Sequence, residues 1–155
     1  MTVLLETRGL SKSFGGLKAV SDVNFSIGRG EVRAVIGPNG AGKTTFVSLI
    51  SGRIAPSAGT ILFEGEDVTG LPAFRRVQRG IAYTFQITSI YANLTVAENV
   101  ALAAHGRGTR EPLERVGLAD RGSQVAGTLA YGHQRLLEVA MGLALKPKLL
   151  ILDEP

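Results

Sequence analysis

Apolar and polar residues change rhythm along this chain, and each change marks an element. Val23, Asn24, Phe25, Ser26 and Ile27 alternate strictly, the period-2 pattern of a half-buried strand. Residues 60–63 read as another strand, closed by the polar turn Glu64, Gly65, Glu66, Asp67. Residues 31–36 and 81–85 are further strand-like runs. Leu149, Leu150, Ile151 and Leu152 form a continuous apolar stretch, the pattern of a strand covered on both faces. Helical spacing takes over after Thr44, where Phe46, Leu49 and Ile50 share a face, and again from Thr95 to about Ala104, where Thr95 and Glu98 make a capping box. A short helix is expected from Glu111 to Val116, stopped by Gly117. A longer one runs from Gly132 to about Leu145, with an apolar stripe of Leu136, Leu137, Ala140, Leu143 and Ala144, and ends at Lys146, Pro147, Lys148. Strands alternating with helices predict an α/β core, and residues 1–30 and 57–70 predict a small antiparallel β layer.

Composition narrows this picture. The chain has 155 residues, 45% hydrophobic and 19% charged, enough for a real core and outside the range of disordered chains. No apolar run approaches the ~18 residues of a membrane span, and the N-terminal residues lack the pattern of a signal peptide. With no cysteine, disulfides and thiolate metal sites are excluded, which fits a cytoplasmic location. The net charge is +4 and the pI about 9.8. The densest basic run, Arg75, Arg76, Val77, Gln78, Arg79, is short, and on a helix it is expected mostly to face solvent. No nucleic-acid partner is expected.

The chemistry concentrates in two places. Gly37, Pro38, Asn39, Gly40, Ala41, Gly42, Lys43 and Thr44 follow the G-x-x-x-x-G-K-[ST] spacing between a strand-like run and a helix start. Glycines let backbone N–H groups close around phosphate, Lys43 supplies a point charge to the β- and γ-phosphates, and the Thr44 hydroxyl is a ligand for Mg²⁺. The loop delivers the anion to a helix N-terminus, where the dipole and free amides favour it. The second place is Asp153 and Glu154, directly after the apolar run 149–152. An acid at a strand end beside a bound metal suits Asp153 as an Mg²⁺ holder, and Glu154 is one residue further on, where a carboxylate polarises an attacking water.

With both places, the chain resembles the nucleotide-binding subunit of ABC (ATP-binding cassette) transporters, from Leu10 to Pro155. The resemblance implies a P-loop NTPase core with an antiparallel β layer and a shortened helical insertion. It implies one partial nucleotide-binding domain over residues 1–155: the β layer at 1–30 and 57–70, the phosphate-loop core at 31–56, 80–87 and 146–155, and the helical subdomain at 88–145. Phe14 matches the aromatic that stacks on adenine, and Thr45 extends the phosphate loop. Gln86 matches the glutamine that contacts the metal or the attacking water. Leu129, Ala130, Tyr131, Gly132, His133, Gln134 and Arg135 match the signature usually written L-S-G-G-Q, a second helix N-terminus aimed at phosphate. In the family it covers ATP held by a second subunit, in a head-to-tail pair closed by two-fold symmetry. Ala130 lacks the usual serine hydroxyl, a loss of about 1.5–3 kcal/mol for a hydrogen bond to a charged group, and His133 replaces the usual glutamine.

Within the family, Phe14-Gly15-Gly16-Leu17, the phosphate loop, Thr84-Phe85-Gln86 and Tyr131-Gly132 look most like ATPases of branched-chain amino acid importers. The implied function is ATP-driven import of these or related small polar solutes. The implied cofactors are ATP and Mg²⁺. The implied partners are a second ATPase subunit, membrane permease subunits and, indirectly, a periplasmic solute-binding protein, with the chain on the inner face of the cell membrane. The alternatives are a nucleotide-binding fragment that does not hydrolyse, and a soluble family member acting on DNA or ribosomes. The family continues past the position of Pro155 with an interface loop and a histidine, and it carries a longer helix where residues 107–111 stand here. A C-terminally truncated chain of this kind is expected to be marginally stable and poor at hydrolysis, with an uncovered strand edge at 149–152.

Overall fold

The computed structural model describes residues 2–84 and 89–153. The chain divides into two compact units, one up to Arg79 and one from Gly80 onward.

The first unit is built on two long strands, β1 (Val3–Phe14) and β2 (Leu17–Gly28), joined by a tight turn at Gly15 and Gly16. β1 pairs antiparallel with β2 on one side and with β3 (Ala58–Phe63) on the other. The short β4 (Glu66–Asp67) completes a four-stranded antiparallel sheet in the order β2-β1-β3-β4. The β1–β2 register shifts between Thr7 and Leu10, and polar side chains occupy the gap. Buried Thr7 donates its hydroxyl to the Val23 carbonyl (2.9 Å) and accepts from the Phe25 amide (3.1 Å), while Asn24 Oδ1 accepts from the Gly9 amide (2.8 Å). These bonds satisfy backbone groups that the irregular ladder leaves over. Leu5, Leu10, Ile61 and Phe63 of the sheet are buried, as are Phe46, Leu49 and Ile50 of α1 (Lys43–Ser51), as the helical spacing requires. Phe46 meets Phe25 edge to face at 5.5 Å. The last element of this unit is α2 (Ala73–Arg79).

Residues 31–36 depart from expectation. They form no strand, and Val32 and Ile36 are 96% and 91% exposed. A strand is completed by a neighbour's backbone, and no strand of this unit offers one to the segment. Arg76 also departs from its neighbours in the basic run. It is buried, whereas Arg75 and Arg79 face outward.

The second unit pairs β5 (Ile81–Thr84) in parallel with β6 (Leu149–Leu152), Ile81 opposite Leu149 and Thr84 opposite Leu152. Between them the chain forms α3 (Val96–Ala104), α4 (Arg110–Arg115) and α5 (Tyr131–Ala144). The capping box opens α3, with Thr95 and Glu98 each accepting from the other's backbone N–H. Gly117, at φ 76°, follows the end of α4. The three helices enclose one core of Val96, Val100, Leu113, Leu118, Leu129, Leu137, Ala140 and Ala144.

Leu136 was expected in the apolar stripe of α5 but is 39% exposed. The inward face runs 137, 140, 141, 144 at i, i+3, i+4, i+7, and Leu136 stands about 100° off it. α5 lies against the strands through Gly142, where an added Cβ would stand 3.1 Å from Leu150 Cδ1. β6 is half-buried rather than covered on both faces: Leu152 is 41% exposed, and among the described residues only β5 pairs with it.

Candidate functional site

In the first unit the loop at 37–44 is shaped by backbone that only glycine adopts readily. Gly40 and Gly42 have φ of 82° and 90°, and the Ala41 amide bonds to the Pro38 carbonyl at 3.1 Å. Gly42 is also required by space, because a Cβ there would stand 2.2 Å from the Ala19 carbonyl oxygen of β2. It serves as N-cap of α1 without a capping side chain, so the first-turn amides of α1 receive no side-chain oxygen from it. Lys43 Nζ donates to the Gly37 carbonyl, folding the ammonium back across the loop it opens from. Asn39 and Thr44 are exposed, and Thr45 is half-buried. Together these features make a glycine-shaped loop with one cation at a helix start, chemistry suited to a phosphate chain.

The far end of α1 is held as firmly. Buried Arg76 donates to the carbonyls of Leu49 (2.7 Å) and Ile50 (2.8 Å), and to those of Thr69 (2.9 Å) and Leu71 (3.0 Å). A cation at the C-terminal carbonyls complements the helix dipole. Burial pulls Arg76 below the ordinary guanidinium range, and the Asp67 charge opposes that shift. Asp67 accepts from the Thr69 amide at 2.8 Å. Its carboxyl is held below the usual range first by the Thr69 hydroxyl, then by that amide. Phe14, the expected adenine platform, ends β1 with its ring 49% exposed, and Lys12 Nζ lies 5.1 Å from the ring centroid.

The second unit holds Asp153 and the signature segment. Asp153 is buried, and its Oδ2 accepts from the Tyr83 hydroxyl at 2.9 Å. Its main-chain carbonyl accepts from Arg135 Nη2 at 3.2 Å. α5 begins at Tyr131 with Ala130 as N-cap and no side-chain cap bond, so the missing hydroxyl at 130 leaves the helix start to backbone donors alone. Tyr131 is 67% exposed, Gly132 has open space around its α-carbon, and His133 is half-buried. Gln86 and Glu154 lie outside the described residues.

The structure thus gathers residues 37–45 into one loop and helix start, and places 130–133 and Asp153 in the other unit. Three contributors went unnoticed in the sequence: Arg76, Tyr83 and the Arg135–Glu138 pair. Glu138 sits beside Leu137 on the inward half of α5, and a carboxylate within an apolar stripe three residues after an arginine is the signal that marks it. For Arg76 no such signal exists, since its partners are backbone carbonyls distant in sequence.

Comparison with known proteins agrees with this geometry. The family model described as ABC transporter matches residues 20–155. The chain is 38% identical to the high-affinity branched-chain amino acid transport ATP-binding protein BraF of Pseudomonas aeruginosa, over 98% of this chain and 69% of that protein. It is 37% identical to LivG of Escherichia coli, which has the same description, at the same coverage. The methionine import ATP-binding protein MetN 1 of Rhodococcus jostii is 41% identical, over 97% of this chain and 49% of that protein. Among solved structures, a nucleotide-free ATP-binding cassette of an ABC transporter superposes with a TM-score of 0.89 at 28% identity, covering 99% of this chain and 69% of that one. The ADP conformation of the cassette MJ1267 gives 0.87 at 28% identity, covering 97% and 68%.

Proposed function

The chain belongs to the ABC transporter family, and we propose that it is the ATP-binding subunit of an importer for branched-chain amino acids or a related small polar solute. The observation that carries the nucleotide reading is the loop at 37–44, where left-handed glycines, the Lys43 ammonium and the start of α1 converge. The solute class rests on the likeness to BraF and LivG.

In this reading Phe14 offers a ring face to adenine. The amides of residues 39–45 and Lys43 bind the β- and γ-phosphates. Mg²⁺ is a hard cation that takes oxygen ligands. Thr44, in the first unit, offers an exposed hydroxyl of that kind, and Asp153, in the second, would supply a carboxylate. Bound there, the metal would neutralise charge on the transferring phosphoryl group. Glu154 would orient and deprotonate the attacking water, and Gln86 would touch the metal or that water. Ala130, Tyr131, Gly132 and His133 would cover ATP held by a second copy in a head-to-tail dimer. The dimer would sit on permease subunits at the inner face of the membrane, fed by a periplasmic binding protein. None of the described helices is long and apolar enough to cross a membrane itself.

Two measurements test this. Lys43→Ala should weaken ATP binding by about tenfold to a hundredfold, the loss of a charged hydrogen bond to phosphate. Unchanged affinity would remove the loop from the site. For the solute, the chain is co-expressed with permease subunits of a branched-chain amino acid importer, and ATPase activity is followed as a solute-binding protein is loaded with leucine, isoleucine or valine. Stimulation supports the assignment; stimulation by another solute alone overturns the amino-acid reading and leaves ATP binding intact.

A further inference from the structure

The second unit contains a buried ion pair that the nucleotide reading does not use. Arg135 and Glu138 stand on the first turns of α5, three residues apart, with Nη1 to Oε2 at 2.5 Å and side chains only 11% and 5% exposed. Burying two charges costs several kcal/mol per ion unless further hydrogen bonds complete their shells. Both shells are extended, each toward a different segment. Glu138 Oε1 accepts from the Ser89 amide at 2.8 Å, and Arg135 Nη2 donates to the Asp153 carbonyl at 3.2 Å. Ser89 lies between β5 and α3, and Asp153 directly follows β6.

Other contacts show what is left for this pair to hold. Tyr91 is already fixed by buried Asn99, which accepts from the Tyr91 amide at 2.7 Å and donates to its carbonyl at 3.0 Å. The Asp153 carboxylate is held by Tyr83. Glu138 therefore supplies the Ser89 end of that segment, and Arg135 supplies the main chain of Asp153.

We propose that Arg135 and Glu138 are positioning residues for ATP hydrolysis, fastening Ser89 and the main chain of Asp153, directly after β6, to the first turns of α5. The three pieces then move as one, and a shift of Ser89 is transmitted to the acid at the end of β6. Their role is exerted through Asp153 and Ser89, not through contact with nucleotide. The inference rests on the chain being a hydrolase, so one readout is independent of turnover.

The test uses the full-length protein with Glu138→Gln, Glu138→Ala, Arg135→Gln and Arg135→Lys. Steady-state kinetics give kcat and KM for ATP, and amide hydrogen exchange with mass spectrometry follows peptides covering 89–92 and 150–153. Loss of alignment by an ångström or so costs about a hundredfold in rate. The expected result is a fall in kcat of about ten- to a hundredfold with KM within about twofold, for Glu138→Ala and Arg135→Gln. Arg135→Lys should recover part of it by keeping the charge. Glu138→Gln keeps an acceptor for Ser89, so exchange at 89–92 should rise in Glu138→Ala and much less in Glu138→Gln. Loosening at 150–153 should follow Arg135→Gln. If Glu138→Ala does not fold, Arg135→Gln carries the decision. The proposal is overturned if folded Glu138→Ala or Arg135→Gln keeps wild-type kcat, if KM rises in step with any fall in kcat, or if exchange at the two segments is unmoved in them. A wild-type protein that binds ATP without turnover overturns the hydrolase premise, and the exchange data then decide the link by themselves.

Discussion

Residues 31–36 and 149–152 look alike along the chain, and the folded molecule treats them oppositely. Each is a short apolar run leading straight into a chemical motif: the phosphate loop in one case, Asp153 in the other. Residues 149–152 become β6 because β5 lies beside them in parallel register and α5 packs over them through Gly142. Residues 31–36 have no such neighbour in their unit, and Val32 and Ile36 stand almost fully exposed. An apolar run is thus a candidate strand until a partner backbone makes it one. The phosphate loop that follows 31–36 keeps its shape for another reason. It is held from the helix side, by the close approach of Gly42 to β2 and by Arg76 at the far end of α1.

The largest effect should come from breaking that helix-side support at the loop. Gly42→Val forces a left-handed β-branched residue into the Ala19 carbonyl and should destabilise the first unit by about 3–5 kcal/mol. Denaturant melts and ATP binding would both report it; a normal melt with normal affinity would mean that the loop is shaped elsewhere. Next is Arg76→Leu, which removes a donor from two buried and two half-buried carbonyls and should cost about 2–4 kcal/mol, read as a lower melting midpoint. Arg76→Lys should recover only part of this, because an ammonium cannot reach four acceptors with the same fork.

The two apolar runs can then be set against each other directly. Leu150→Ala removes packing at the partly buried β6 and should cost about 1–2 kcal/mol. Ile36→Thr, at an exposed position, should change stability by no more than about 0.5 kcal/mol. Equal costs for the two would break the contrast and show that 31–36 is covered in solution. The smallest effect concerns pH. The Asp67 carboxyl is held below its ordinary value by Thr69, so its stabilising contribution is present above the unfolded pKa and is lost as pH falls through the folded one. Asp67→Asn should flatten the acid side of the stability curve, and an unchanged pH profile would mean that Thr69 does not favour the Asp67 carboxylate in solution.

Much of the site was legible because its chemistry is local. Gly40, Gly42 and Lys43 act within one tight loop, and Thr95 with Glu98 cap one helix, so spacing along the chain is also spacing in space. The same locality made the face of α1 readable and nearly that of α5, where Leu136 and Leu143 fall outside the inward face. Tyr83 was not legible as the holder of Asp153, because the two meet only when β5 and β6 pair across most of the second unit.

By itself, then, the sequence determined the glycine-shaped turn at 37–44, the capping box of α3, the start of α5 and the family to which the chain belongs, the local features being consequences of short-range geometry and glycine's backbone freedom. Tertiary structure decided which apolar run became a strand, which arginine in the basic run went inside, and which charges were tied to Asp153. Those outcomes depend on partners far apart in the chain, and hydrogen bonding to a distant backbone leaves no periodic trace in the residues that make it.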